Sequence, residues 1–325
     1  MTPHLRSLLP KLFTMFFLYL SFTLLASTLG CIWETIPPCS CRSIGFHATE
    51  INCLDANNVD TFSNSLSRVK DMPVQTLYIM DSSLLYIPSD ALAGLRVEKI
   101  WLDNSTFRDL TDSEFAFEGL ENSLQKLVIQ DCIIFNGFQW HQFKKLDSLT
   151  SLKTVKAGLQ AIDSDISEIA HLPLDNLELI QDSISYIDEN AFAMFHNLRI
   201  LSLKRNLIKY VERSMFPNPA KNLTVINLSY NLIEKLPYDM FTDMAGLTTI
   251  ILAANKLITV SQKTFSPVWN HLTKVDLYEN PMRCDCRLAW ILERKFPRNT
   301  WAECKSPLIL NGTKITNVRK EDLYC

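Results

Sequence analysis

The chain has 325 residues, 47% of them hydrophobic and 21% charged, with eight glycines and a formal charge of −3. That composition is globular and excludes a collagen-like or low-complexity chain. Without residues 1–30, which carry Arg6, Lys11 and no acid, 30 basic residues face 35 acidic ones for a formal charge of −5, so no nucleic-acid partner is expected.

Residues 1–30 stand apart. His4, Arg6 and Lys11 precede an apolar run from Leu12 to Leu25, and the small residues Ala26, Ser27, Thr28 and Gly30 follow. This reads as a secretory signal peptide with cleavage near Gly30, and it places the mature chain in an extracellular compartment. The alternative is a membrane anchor, which needs roughly twenty apolar residues to span a bilayer. No later segment has eighteen uninterrupted apolar residues, so no membrane insertion is expected after cleavage. The sequons at Asn104, Asn222, Asn227 and Asn311 fit a glycosylating pathway.

Residues 31–73 are read as a cysteine-rich cap and entry, residues 74–280 as about nine repeats, and residues 281–325 as a second cap. The template L-x-x-L-x-L-x-x-N-x-L begins at Val74, Val97, Leu124, Leu149, Leu174, Leu198, Leu223, Leu247 and Leu272, with successive spacings between 23 and 27. Its sharpest copy is Leu223, Ile226, Leu228, Asn231, Ile233 and Leu236, in which Ile226-Asn227-Leu228 reads as a short strand with its apolar side inward. One such unit cannot bury its apolar side alone, so the units stack into a continuous core. The fold class expected is therefore α/β: a leucine-rich-repeat solenoid with a curved parallel sheet on the concave face, short helices or irregular turns on the convex face, and capped ends.

Two further columns support the register. Phe192, Phe216, Phe241 and Phe265 recur at repeat spacing and predict a buried aromatic spine. The ninth template position holds Asn206, Asn231, Asn255 and Asn280 in the last four repeats, where a buried amide can satisfy backbone groups that the chain exposes as it leaves each strand. In the first five repeats that position holds Ser82, Ser105, Cys132, Ala157 and Asp182. The N-terminal half is accordingly expected to be the less regular one. Cys132 reads as a buried free thiol, the alternative being an intermolecular disulfide.

The other eight cysteines fall at the two ends: Cys31, Cys39, Cys41 and Cys53, then Cys284, Cys286, Cys304 and Cys325. A solenoid exposes apolar cross-sections at its ends, and small caps lack core of their own, so disulfides of about 2–4 kcal/mol each would supply what packing cannot. Zinc is the competing reading of four clustered cysteines, which secretion and the C-x-C pairs disfavour.

The run Asn280-Pro281-Met282-Arg283-Cys284-Asp285-Cys286-Arg287-Leu288-Ala289-Trp290-Ile291-Leu292, followed by Cys304, Pro307 and Cys325, resembles the C-terminal cysteine cap of extracellular leucine-rich-repeat proteins. Pro37-Pro38-Cys39-Ser40-Cys41 resembles the matching N-terminal cap, although the interval from Cys31 to Cys39 is longer than that family's pattern. The resemblance implies pairing of Cys31 with Cys41, Cys39 with Cys53, Cys284 with Cys304, and Cys286 with Cys325. Within the family, the length and the degenerate early repeats resemble a group of secreted arthropod proteins similar to the non-catalytic subunit of the decapod shrimp luciferase.

No G-x-S-x-G elbow, P-loop, H-E-x-x-H or dinucleotide fingerprint occurs, and His47, His141 and His171 have no periodic partners. Neither catalysis, nor a metal, nor a cofactor is expected. Template positions 3, 5, 7 and 8 face away from the core, and there Tyr78, Met80, Trp101 and Val128 gather as an apolar patch flanked by Asp81, Asp103 and Asp131. Lys153, Lys156, Lys204 and Arg205 form a basic middle. An exposed aromatic cluster rimmed by charge fits an interface core, unless a glycan on Asn104 covers it. The partner-binding set is Tyr78, Met80, Trp101, Asp103, Val128, Lys153, Lys156 and Arg205. The partner is expected to be a protein: a receptor at the cell surface, or a secreted catalytic chain such as a luciferase, to which this chain would be a stabilising accessory.

Overall fold

The computed structural model of the chain describes residues 35–44, 48–70 and 72–323. The proposed signal peptide, Cys31, His47 and Cys325 lie outside the described residues.

The molecule is built on one sheet of thirteen strands. Its N-terminal edge is an antiparallel meander of β1 (Thr35–Ile36), β2 (Cys39–Ile44) and β3 (Ala48–Leu54). Every later pairing is parallel. The strands are β4 (Pro73–Met80), β5 (Arg96–Asp103), β6 (Lys126–Gln130), β7 (Ser151–Val155), β8 (Asn176–Ile180), β9 (Ile200–Ser202), β10 (Val225–Asn227), β11 (Thr249–Ile251), β12 (Lys274–Asp276) and β13 (Asn299–Trp301). Returning segments on the other side are turns and short 3-10 or α-helical pieces. The longest, α1 (Val59–Ser67), sits between β3 and β4 and is capped by the Asn58 side chain, which accepts from the Thr61 N–H. Among the described residues no helix is long and apolar enough to cross a membrane.

Alternation along each strand decides which residues are buried. Leu77, Ile79, Ile100, Leu102, Leu127 and Ile129 point inward and join one apolar cluster that runs through the whole array. Phe192, Phe216, Phe241 and Phe265 are all buried in it, the first pair with ring centroids 6.3 Å apart and the last pair 5.1 Å apart. The stack continues through Trp269 to Trp290 of the C-terminal cap.

The asparagine column forms a ladder. Asn231 Nδ2 donates to the carbonyls of Leu203 and Leu228, at 2.9 and 3.0 Å, while its Oδ1 accepts from the Ile208 N–H at 3.1 Å. Asn206, Asn255 and Asn280 repeat the pattern. Buried backbone groups between neighbouring repeats are thereby paired. Ser82 and Ser105 continue the ladder with hydroxyls: each accepts an N–H from the preceding repeat and donates to a carbonyl two residues back in its own. Cys132 does the last of these with its thiol, Sγ to the Gln130 carbonyl at 3.1 Å; it is buried and unbridged, and burial pushes its pKa up to about 11.

The N-terminal half is the more varied one. There β4 and β5 are eight residues long, against three for β9 to β13. The serine hydroxyls replace the amides, and just beyond them Ser83–Leu84, Thr106–Phe107 and Ile133–Ile134 pair again as a second small parallel sheet. The template is weakest where the backbone pairing is most extensive.

Disulfides join Cys39 to Cys53 between the paired strands β2 and β3, and Cys284 to Cys304 in the C-terminal cap. Cys41 and Cys286 are disulfide-bonded as well. The partners proposed for these two, Cys31 and Cys325, lie outside the described residues.

Candidate protein-interaction surface

The outward side chains of the sheet line up in columns because the parallel register is unbroken. Position 5 runs Tyr78, Trp101, Val128, Lys153, Glu178, Ser202, Asn227, Ile251 and Asp276, each opposite the next, and Trp301 on β13 extends it. One place later than position 7, the chain turns out of each strand with positive φ. Asp81, Asn104, Asp131, Lys156, Gln181, Arg205, Tyr230, Ala254 and Glu279 all hold φ between 44° and 60°. That left-handed turn presents their side chains at one rim of the concave face.

At the N-terminal end Tyr78 and Trp101 form an aromatic pair, centroids 6.2 Å apart and planes tilted by 31°, both half-buried. The Lys99 ammonium lies 4.5 Å from the centre of the Trp101 ring, in cation–π range. Burial first, and then repulsion from Lys126, hold the Lys99 ammonium below the usual lysine range, with Glu50 acting against them. Met80 and Asp103 are also half-exposed on the same face.

Val128 departs from its assignment to the exposed patch: it is 1% exposed. Its side chain points to the concave side, but it is short and stands between Trp101 and Lys153 in register, and these larger neighbours cover it. The basic middle is more neutralised than the sequence suggests. Lys156 pairs with Asp131 at 2.6 Å, and Lys153 lies 3.9 Å from Glu178. Arg205 lies 4.5 Å over the ring of Tyr230, which Lys204 also approaches.

Lys99 and Lys126, at position 3, were missed because the candidate set was drawn from positions 5, 7 and 8. Tyr230, Tyr278 and Trp301 are exposed on the C-terminal half of the same face. A column-by-column reading of positions 3 and 8 contains all of these except Tyr278 and Trp301, the first at position 7 and the second beyond the last template match.

The sequons lie in different settings. Asn104 is exposed at the rim, with Nδ2 donating to Asp81 at 2.7 Å. Asn222 is exposed and donates to the His196 carbonyl, and Asn311 is exposed in the cap. Asn227 is half-buried in the centre of the concave face, where its Oδ1 accepts from the N–H and hydroxyl of Ser229. On the convex side, a groove of about 1130 Å³ is lined by His141, His171, Lys144 and Glu168 among others. There Lys144 and Glu168 form an ion pair and His171 Nε2 lies 2.9 Å from the Lys144 carbonyl, while no group of three or more His, Cys, Asp or Glu among the described residues could hold a metal.

Comparison with known proteins agrees with this geometry. Residues 196–257 match the family described as leucine rich repeat. The non-catalytic subunit of Oplophorus-luciferin 2-monooxygenase from Oplophorus gracilirostris is 23% identical over 290 residues, covering 80% of this chain and 78% of that protein. Human 5T4 (Wnt-activated inhibitory factor 1, trophoblast glycoprotein) superposes with a TM-score of 0.53 at 18% identity, over 90% of this chain and all of that one. Stacked repeats, a side-chain ladder and disulfides near both ends thus make the chain a leucine-rich-repeat solenoid, similar along most of its length to the Oplophorus luciferase non-catalytic subunit.

Proposed function

We propose that the chain is a secreted, non-enzymatic binding protein that recognises a protein partner through the N-terminal half of its concave face. The observation that carries this reading is the half-buried Tyr78–Trp101 pair with a lysine over the indole, set on the longest strands of the sheet. Aromatic side chains left partly in water on a rigid sheet are the kind of residue that dominates binding energy at protein interfaces. Its test is Trp101→Ala. Secretion and melting temperature should stay nearly unchanged, while capture of the natural partner falls by about tenfold or more, the loss of a hot-spot side chain. A variant that fails to secrete, or that captures its partner with undiminished affinity, overturns the assignment.

A second reading is favoured by similarity along 80% of the chain to a named non-catalytic subunit: this protein would be an accessory chain that stabilises a secreted oxidoreductase. Purification of the native protein from its source, followed by mass spectrometry, separates the two. A stoichiometric catalytic chain supports the accessory role; a receptor or matrix protein supports the first reading. The same preparation, sequenced from its N-terminus, tests cleavage near Gly30.

A further inference from the structure

Three rows of side chains cross β4, β5 and β6 at right angles to the strands. On the entry side Lys99 and Lys126 stand next to each other in register, an arrangement of like charges that a sheet does not favour. The middle row is Tyr78 and Trp101. On the exit side lie Asp103, at the end of β5, and Asp81, in the turn after β4. Among the described residues these two lysines and two aspartates enter no ion pair, although Lys153 and Glu178, and Lys156 and Asp131, pair on the repeats beside them. Across β4 to β6 the concave face is therefore basic on the entry side and acidic on the exit side, with an aromatic strip between; the Lys99 ammonium leans over the Trp101 ring at its edge, and Glu50 on β3, in register with Thr76, bounds the basic side.

We propose that this strip takes an amphipathic α-helical segment of a protein partner, laid across the strands. Its carboxylates would lie over Lys99 and Lys126, its apolar ridge over Tyr78 and Trp101, and its amines or guanidinium groups over Asp81 and Asp103. The inference rests on the concave-face reading above and adds the shape, charge pattern and direction of what binds there. Dimensions choose a helix over an extended peptide. Residues i and i+2 on a strand are ~6.6 Å apart, so Lys99 and Asp103 stand about 13 Å apart, near the ~10–12 Å diameter of a helix with its side chains. Three neighbouring strands at ~4.8 Å spacing span about 10 Å, enough for roughly two helical turns. Opposed charge lanes fix register and reject mismatched partners more than they add affinity.

The test uses the whole secreted chain and two synthetic helical peptides of about fourteen residues with equal composition. The patterned peptide has Glu along one flank, Leu and Phe on the ridge and Lys along the other flank; the control alternates Glu and Lys on both flanks. By fluorescence anisotropy at low salt the patterned peptide should bind about tenfold or more tightly than the control, with the gap closing in ~0.5 M salt. Lys99→Glu with Lys126→Glu should weaken the patterned peptide by about tenfold. Adding Asp81→Lys and Asp103→Lys should restore binding to within about threefold, because a strip of reversed polarity accepts the same helix turned end for end. Lys156 and Arg205 already occupy the position of Asp81 in other repeats, so the backbone there accepts a long basic side chain. If the fourfold variant does not fold, Lys126→Glu and Asp81→Lys, both at exposed positions, carry the test singly, each weakening the patterned peptide and not the control. Equal binding of the two peptides, no binding of either, or a folded fourfold variant as weak as the double one overturns the proposal. If Trp101→Ala still impairs capture of the natural partner in that event, the concave-face reading stands and the charge-lane inference alone falls.

Discussion

At Asp182 the ladder changes its chemistry. An asparagine there would donate to carbonyls, and a carboxylate cannot. The compensation comes from Thr154 in the preceding repeat, at a position that elsewhere holds a leucine or isoleucine: its hydroxyl donates to Asp182 Oδ2 at 2.5 Å, while Oδ1 accepts from the Ala157 N–H. Both residues are buried. Thr154→Val should therefore cost about 1–3 kcal/mol by leaving a buried acceptor unpaired, and less in an Asp182→Asn background, giving a coupling of at least about 0.5 kcal/mol in a double-mutant cycle of melts. Burial raises the Asp182 pKa despite these hydrogen bonds. The folded protein then keeps the proton at pH values where the unfolded chain has lost it, so Asp182 subtracts stability as pH climbs from the ordinary carboxylate range, about 4, through its raised folded value. The stability of Asp182→Asn relative to wild type should grow across that window and be smallest below it; a difference independent of pH would contradict this account. The asparagines of the ladder were legible from spacing alone. The Thr154–Asp182 pair was not, because each residue departs from the template and only their contact explains both. Val128 shows the complementary failure: alternation gives the side of a sheet a residue faces, whereas its exposure depends on the bulk of neighbours that only the assembled register supplies.

Among the elements, the connections carry the strictest steric demands. Gly246 lies in the return between β10 and β11, where a Cβ would stand 2.4 Å from the Lys221 carbonyl oxygen, a backbone atom that cannot swing aside. Gly246→Ala should thus cost on the order of 1–3 kcal/mol in a thermal or denaturant melt, the cost of overpacking; a neutral result would show that the two repeats can separate freely there. The strands and their order were legible because template spacing sets strand register. Strand length was not. It follows from where pairing begins: β4 and β5 already pair at Pro73 and Arg96, three residues ahead of the template position at which the later strands start.

On the scale of the whole molecule the array has one core and two ends, and each repeat contacts chiefly its neighbours, so damage should spread from where it is made. Replacing Cys284 and Cys304 by serine should cost about 2–4 kcal/mol. In hydrogen exchange, amides of β12 and β13 should lose protection first while those beside Phe192 and Phe216 keep theirs; uniform loss would mean that the solenoid unfolds as a single unit. The repeat array and the positions of its caps were legible as a whole, since periodicity and cysteine clustering are properties of the chain. The polarity of the concave face was legible only in part, because it arises from columns formed by residues some 25 apart in sequence. The difference in strand length has a mechanical consequence. Pairing of β4 with β5 from Pro73 and Arg96 onward, with the second small sheet beyond the turn, makes the sheet stiffest under Trp101; toward Trp301 the strands pair over three residues, continued by single backbone hydrogen bonds such as that from the Leu252 N–H to the Asp276 carbonyl, and the sheet is more compliant. A partner that lands at the stiff end finds a backbone already fixed and loses little affinity to ordering it, while the solenoid's curvature can adjust at the far end to the rest of the partner's surface.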